Sequence, residues 1–253
     1  TGLLEGTLYH YRVKAVSAGG TTYGSDLTFT TLTTVTDYDG NIYNTVRIGT
    51  QVWISENLKT THYRDGTAIP NITTSDWGSL TYGAYRWLDN NIANKDIYGA
   101  LYNSFTVVDN RNLCPAGWHV PTLAEFNTLF TYLGGETVAG GKLKEAGTAH
   151  WEAPNTGATN ESGFTGLPGG YCTSSFHYQP GFNARFYTST WYNQAGSTYM
   201  RGLMYDNAGI SSGMSTTDGY SVRCIEGEGL VLPAVTTTAV TSIGSTTAAS
   251  GGN

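Results

Sequence analysis

Apolar and polar positions alternate at the start of the chain. Leu8, His10, Arg12 and Lys14 fall on one side of an extended segment, and Tyr9, Tyr11, Val13 and Ala15 on the other. Val16 breaks the period just before Gly19-Gly20, and "TTYGSDLTFTT" (21–31) supplies a second extended run. A period of two across a Gly-Gly turn predicts a β-hairpin with one buried face. The middle of the chain is dense in turn signals ("DYDGN", "RDGT", "GGETVAGG", "LPGG", "STTDG"), with one convincing helical period in "PTLAEFNTLFTYLGG". There Thr122 reads as an N-cap and Glu125 completes a capping box. Phe126, Leu129, Phe130 and Leu133 recur on one face, and Gly134-Gly135 ends the helix. A second short helix is predicted over 137–145, weakened by Gly140-Gly141. Everything else reads as short strands and long loops, an α+β pattern with little helix. In the Thr/Ser-rich tail, Val235, Val240 and Ile243 point to strands, the alternative being a linker.

Composition narrows the class. The 253 residues suffice for a sizeable core; charged residues make up 13%, aromatics also 13%, with 18 Tyr and 33 Gly. Such a neutral-polar, aromatic profile suits an extracellular or cell-surface protein. A net charge of -6 argues against nucleic acid, which needs clustered Lys and Arg. No apolar run is long enough to span a bilayer. Three cysteines, Cys114, Cys172 and Cys224, allow one disulfide and one leftover thiol, and they are too dispersed for a structural zinc cluster.

Two resemblances organise the chain. Leu4, Gly6-Thr7, Tyr9 and Tyr11 resemble the tyrosine-corner end of fibronectin type III domains, and residues 232–253 resemble the opening strands of such a module. Between them, "DYDGNIYNTVRIGTQVWISENL", "YGALYN", "CPAGWHVPTLAEFNTL", "GGKLKEAGTAHW", "NESGFTGLPGGY" and "YSVRCIEG" follow in order. Together they resemble the Fibrobacter succinogenes major paralogous domain, which is similar in turn to the formylglycine-generating, C-type lectin-like fold. The resemblance implies a loop-rich C-type lectin-like α+β domain with one main helix over 33–228. It would be flanked by partial all-β sandwich strands at 1–32 and 229–253. It also implies a disulfide between Cys114 and Cys224, because the "CP-x-GW" and "VRC" segments tend to occur together in the family. No activity comes with it: the oxidase of the formylglycine branch uses two late cysteines, and this chain has only Cys172 in that region.

Cys114 and His119 lie five positions apart, too far for a nucleophile and base unless the chain turns back at Ala116-Gly117. Trp118 and His119 read as a buried Trp beside a half-buried His bonded to backbone. "DYDGN" offers Asp37, Asp39 and Asn41 like the opening of a calcium loop, but Ile48 stands where an EF-hand needs Glu, so a turn is the better reading. Asp89, Asn91 and Asp96 in "WLDNNIANKD" form the stronger calcium candidate, against a loop of asparagine-stabilised turns. Tyr178, Trp191 and Tyr192, with Trp77 and Tyr82, are the candidate contacts for a glycan or a protein partner. Glu56 and Glu161 are single carboxylates, and no catalytic residue is assigned. The expected function is a non-catalytic extracellular binding or adhesion module. The alternative is a repeat unit of a surface assembly, self-associating through its terminal strands.

Overall fold

The structure is a computed structural model and describes residues 6–30, 33–173, 177–192 and 196–227. The N-terminal strands are β1 (Leu8–Tyr11), β2 (Lys14–Ser17), β3 (Gly20–Tyr23) and β4 (Leu27–Thr30). β2 pairs with β3 and β1 with β4, giving one long interrupted hairpin. The expected buried face is not there: Leu8, Tyr11, Val13, Val16, Tyr23 and Leu27 are all exposed. Two strands alone cannot cover a face, which needs a further layer to bury it. The strands predicted within 229–253 lie outside the described residues.

The main domain begins with β5 (Thr34–Thr36), β6 (Ile42–Ile48) and β7 (Gln51–Ile54), then β8 (Tyr85–Trp87), α1 (Lys95–Tyr98), β9 (Ala100–Tyr102) and α2 (Ser104–Val107). It continues with β10 (Trp118–His119), α3 (Leu123–Tyr132) and α4 (Glu136–Leu143), and then β11 (Tyr171–Cys172) and β12 (His177–Tyr178). β13 (Asn183–Trp191), β14 (Thr198–Met204), β15 (Ile210–Ser215) and β16 (Ile225–Glu226) close it. The strands form a five-stranded sheet in the order β10-β16-β7-β6-β5, a three-stranded meander β13-β14-β15, and separate pairs β8-β9 and β11-β12.

This corrects the expected fold class. An α+β, C-type lectin-like domain built on one main helix is not what the chain forms; strands in several antiparallel sheets dominate, and the helices are short and subordinate. α3 has ten residues and is joined directly by the eight-residue α4. The frequent turn residues cut the β-prone sequence into strands too short for one large sheet. α4 forms despite its glycines because they admit other backbone: a Cβ on Gly140 would strike the Gly209 carbonyl, and one on Gly141 the Gly157 carbonyl.

Two large hydrophobic clusters lie on opposite sides of the strands. Ile54, Tyr187 and Cys224 enter one, with Tyr43, Tyr102, Trp118 and Tyr220. Their chain neighbours Trp53, Phe186 and Ile225 enter the other, with Phe126, Phe130, Trp151 and Phe164. Alternation therefore selects between two cores here, not between core and solvent. The disulfide Cys114–Cys224 closes a separation of 110 residues, with Cα atoms 6.0 Å apart. Closing a loop of that length stabilises by roughly 4–5 kcal/mol in the chain-entropy account.

Between these elements run long loops whose carbonyls need donors, and a few buried cations supply them. Arg223 is fully buried and donates to Asn57 Oδ1 at 2.7 Å and to the carbonyls of Phe164 at 2.6 Å, Thr165 at 2.8 Å and Ile54 at 3.3 Å. Its guanidinium also lies 4.5 Å from the Phe164 ring centroid. Burial pulls its pKa down to about 9, so it is still a cation at neutral pH. Lys144 Nζ gathers the carbonyls of Thr156, Met204 and Asn207 at 2.8–3.0 Å, and burial lowers its pKa to about 8. Arg223→Met keeps most of the volume but leaves these carbonyls without donors. It is expected to lower unfolding stability by about 3 kcal/mol or more, read from urea denaturation midpoints at unchanged slope.

Candidate functional site

The segment "CPAGWH" is a turn and not an extended rod. Trp118 N donates to Pro115 O at 3.0 Å, with Gly117 at φ +78. Arg64 pins it by donating to the carbonyls of Cys114 (3.0 Å), Pro115 (2.8 Å) and Trp118. Even so, His119 does not serve Cys114, whose sulfur is committed to Cys224.

His119 instead bridges two ends. Its Nδ1 donates to Gly227 O at 2.9 Å, and its Nε2 lies 2.9 Å from Glu125 Oε1. Glu125 is the capping-box residue of α3: Oε2 accepts from Thr122 N at 2.7 Å, and Glu125 N donates to Thr122 Oγ1 at 3.2 Å. The cap was legible in the sequence; its extension to His119 and to the exit of β16 was not. Burial opposes the charged imidazole, but the Glu125 hydrogen bond and the Gly227 carbonyl outweigh it, so the His119 pKa is raised. Two acceptors on one ring favour the form with two N–H groups. Burial likewise opposes ionisation of Glu125, and the bonds from His119 and Thr122 outweigh it and lower its pKa.

The candidate contacts divide. Trp191 and Tyr192 are 50% and 47% exposed where β13 ends, and Tyr82 is 50% exposed. Trp191 stands opposite Thr198, and Tyr192 meets Tyr199 edge-on at 5.4 Å. A chain of hydrogen bonds draws Tyr82 towards this end. Asn103 Nδ2 donates to Tyr82 O at 2.9 Å, and the next residue, Ser104, donates through Oγ to Gly196 O at 2.8 Å. Thr190 Oγ1 accepts from Leu123 N at 2.9 Å and ties the same strand to the start of α3. The aromatics therefore stand on an anchored hairpin end. Upstream along β13, Phe186, Tyr187 and Thr188 are all buried, the first two in opposite cores, and the register shifts between Tyr187 and Trp191.

Trp77 is a correction. It is 0% exposed, packed with Leu80, Ala84, Leu101 and Cys172 beneath Arg86, whose guanidinium lies 4.3 Å from the ring. A Trp in a short 3-10 turn, Ser75–Ser79, read as a surface loop; the tertiary fold uses it as the core of that loop. Burial pushes the Cys172 thiol up to about 12, which leaves it unreactive at neutral pH. The Tyr178 backbone pairs with Tyr171 in β11–β12, and its side chain lies outside the described residues.

Two of the calcium candidates already have protein partners. Asp96 pairs with Lys59 at 2.9 Å, and Asn91 Oδ1 accepts from Ala93 N at 3.0 Å, which makes it a helix cap. Asp89 sits at φ 54 in the short 3-10 turn Leu88–Asn90 that precedes both. No group of three or more His, Cys, Asp or Glu side chains able to hold a metal ion occurs among the described residues. In "DYDGN", Asp37 accepts from Asn41 N at 2.9 Å and Tyr43 Oη at 2.6 Å, as a turn does. The Asp39–His62 pair (2.5 Å) joins two separate loops, so no local pattern announces it.

Sequence reasoning also missed a groove of about 790 Å3 between the β6–β7 turn and the outer face of α3. Its lining residues are ordinary surface types, so no motif marks it. No helix among the described residues is long and apolar enough to cross a membrane.

These features place the chain in a class of strand-rich, disulfide-stapled domains whose loops are held by internal cations. Residues 46–226 match the family described as the Fibrobacter succinogenes major domain, which is most of the chain, and the protein belongs to that family. No curated protein and no solved structure matches it.

Two outcomes are expected. His119→Gln should destabilise by about 1–2 kcal/mol, most clearly near pH 5–6. A raised His pKa contributes stability in full below the unfolded value of about 6.5, and that contribution is lost as pH rises through the folded value. The lowered Glu125 pKa contributes above about 4 and is lost as pH falls, so the wild-type advantage should shrink at both pH 3 and pH 9 in thermal melts. Calcium addition or chelation should leave the melting temperature unchanged, since Asp96 and Asn91 already have protein partners.

Proposed function

We propose that the protein is a non-catalytic extracellular binding module of a modular bacterial surface or secreted protein, with glycan as its ligand class. The observation that supports this reading is the uncharged aromatic end of the β13–β14 hairpin, where Trp191 and Tyr192 are half exposed on an anchored strand. Flat aromatic faces beside hydroxyl-bearing neighbours suit stacking on sugar rings, and rigid anchoring limits the entropy lost on binding. Their neighbours Ser197 and Tyr199, both partly exposed, add neutral hydroxyls.

A second reading is a structural unit that assembles with its neighbours, and the exposed N-terminal hairpin favours it. Leu8, Tyr11, Val13 and Val16 present apolar side chains to solvent there, as the end of a fibronectin-like sandwich would if its remaining strands came from elsewhere. In that reading neighbouring copies supply the missing strands.

Glycan-array binding by the dispersed protein, weakened about tenfold or more by Trp191→Ala, is the expected result. Concentration-dependent assembly in sedimentation velocity, without binding to any glycan on the array, would instead select the second reading.

A further inference from the structure

The groove beside α3 has the features of a binding seat. Its floor is the buried Ile48, and one wall is the two-residue turn Gly49-Thr50 with Gln51. Gly49 sits at φ +62 in the first turn position, as a type II′ hairpin turn requires. A Cβ there would come 2.8 Å from Tyr132 Cδ2, so the Tyr132 ring rests directly against bare backbone. That contact positions the ring while 65% of the residue remains exposed. An aromatic platform is therefore held in place before any ligand arrives.

The polar groups around the platform are oriented by bonds they already make. Thr128 Oγ1 donates to Ala124 O at 3.1 Å, and Thr131 Oγ1 donates to Asn127 O at 2.8 Å. Both hydroxyls spend their proton within the helix and present lone pairs outward. Asn127 Oδ1 accepts from Arg201 Nη2 at 3.2 Å, which turns its amide N–H donors the other way. Gln51 Nε2 donates to Glu125 O at 2.9 Å and fixes the turn against the helix. No lining residue is charged.

We infer that this groove seats a neutral pyranose unit of a polysaccharide, stacked on Tyr132 and hydrogen-bonded by Asn127, Thr128 and Thr131. Sugar hydroxyls both donate and accept, which matches two acceptors and one amide donor beside a ring. An anionic or cationic ligand would find no counter-charge in the lining. The inference rests on the glycan reading above but uses none of the hairpin-end residues, so the two fail separately.

The test uses the whole chain, labelled for amide NMR, titrated with cellohexaose, mannohexaose and xylohexaose. At least one probe is expected to shift the amides of residues 49–51 and 127–132. Tyr132→Ala and Thr128→Lys should each weaken that binding tenfold or more, while Trp191→Ala leaves the shifts in these segments in place. Thr128 is exposed on the helix, so its variant reports on binding even where loss of the Tyr132 ring loosens the turn. Shifts confined to the hairpin end, abolished only by Trp191→Ala, would overturn the groove and leave the glycan reading standing. Shifts nowhere with any probe would overturn both.

Discussion

The fold depends on a guanidinium buried without a carboxylate. Arg223 sits just before β16, where its neighbours Val222 and Cys224 face one core and its own side chain is sent into the other. A charge in that position is tolerated only if its donors are met, and two loop carbonyls, the Ile54 carbonyl at the end of β7 and the Asn57 amide oxygen meet them. The exchange works in both directions. Irregular backbone buried beside Phe164 would otherwise hold unsatisfied carbonyls, and the cation is what allows loops to cross the interior.

The same device recurs through the domain. Arg64 holds the "CPAGW" turn, Arg86 gathers the carbonyls of Ile72 and Thr74, and Lys144 gathers three more. A chain with few charges uses several of them as internal donors instead of surface groups. The exterior keeps exposed carboxylates such as Asp96, Glu136 and Glu161, while the lining of the groove beside α3 is neutral.

In the proposed reading, Trp191, Tyr192 and Tyr132 serve binding only because something behind them is rigid. Thr190 accepts from the start of α3, Ser104 holds Gly196, and Gly49 supports the Tyr132 ring. None of these supports is near its client in sequence except Thr190. The His119–Glu125 bridge adds a tie between the start of α3 and the end of β16, so that the helix cap and the domain exit share one hydrogen-bond network.

What the residues determined alone was local. Thr122 and Glu125 wrote the helix cap, Gly134-Gly135 its end, and the "DYDGN" turn its own hydrogen bonds, because each involves neighbours a few positions apart. The family was legible for a related reason, since its motifs are contiguous words in a set order. Tertiary structure decided the rest. Trp77 and Tyr82 lie in one short loop, yet the first fills a core and the second faces solvent. Along β13 alternate residues enter two different cores, which a period of two cannot distinguish from one core and water. Whether an aromatic becomes packing or platform depends on what the distant chain places over it, and spacing along the sequence carries no information about that cover.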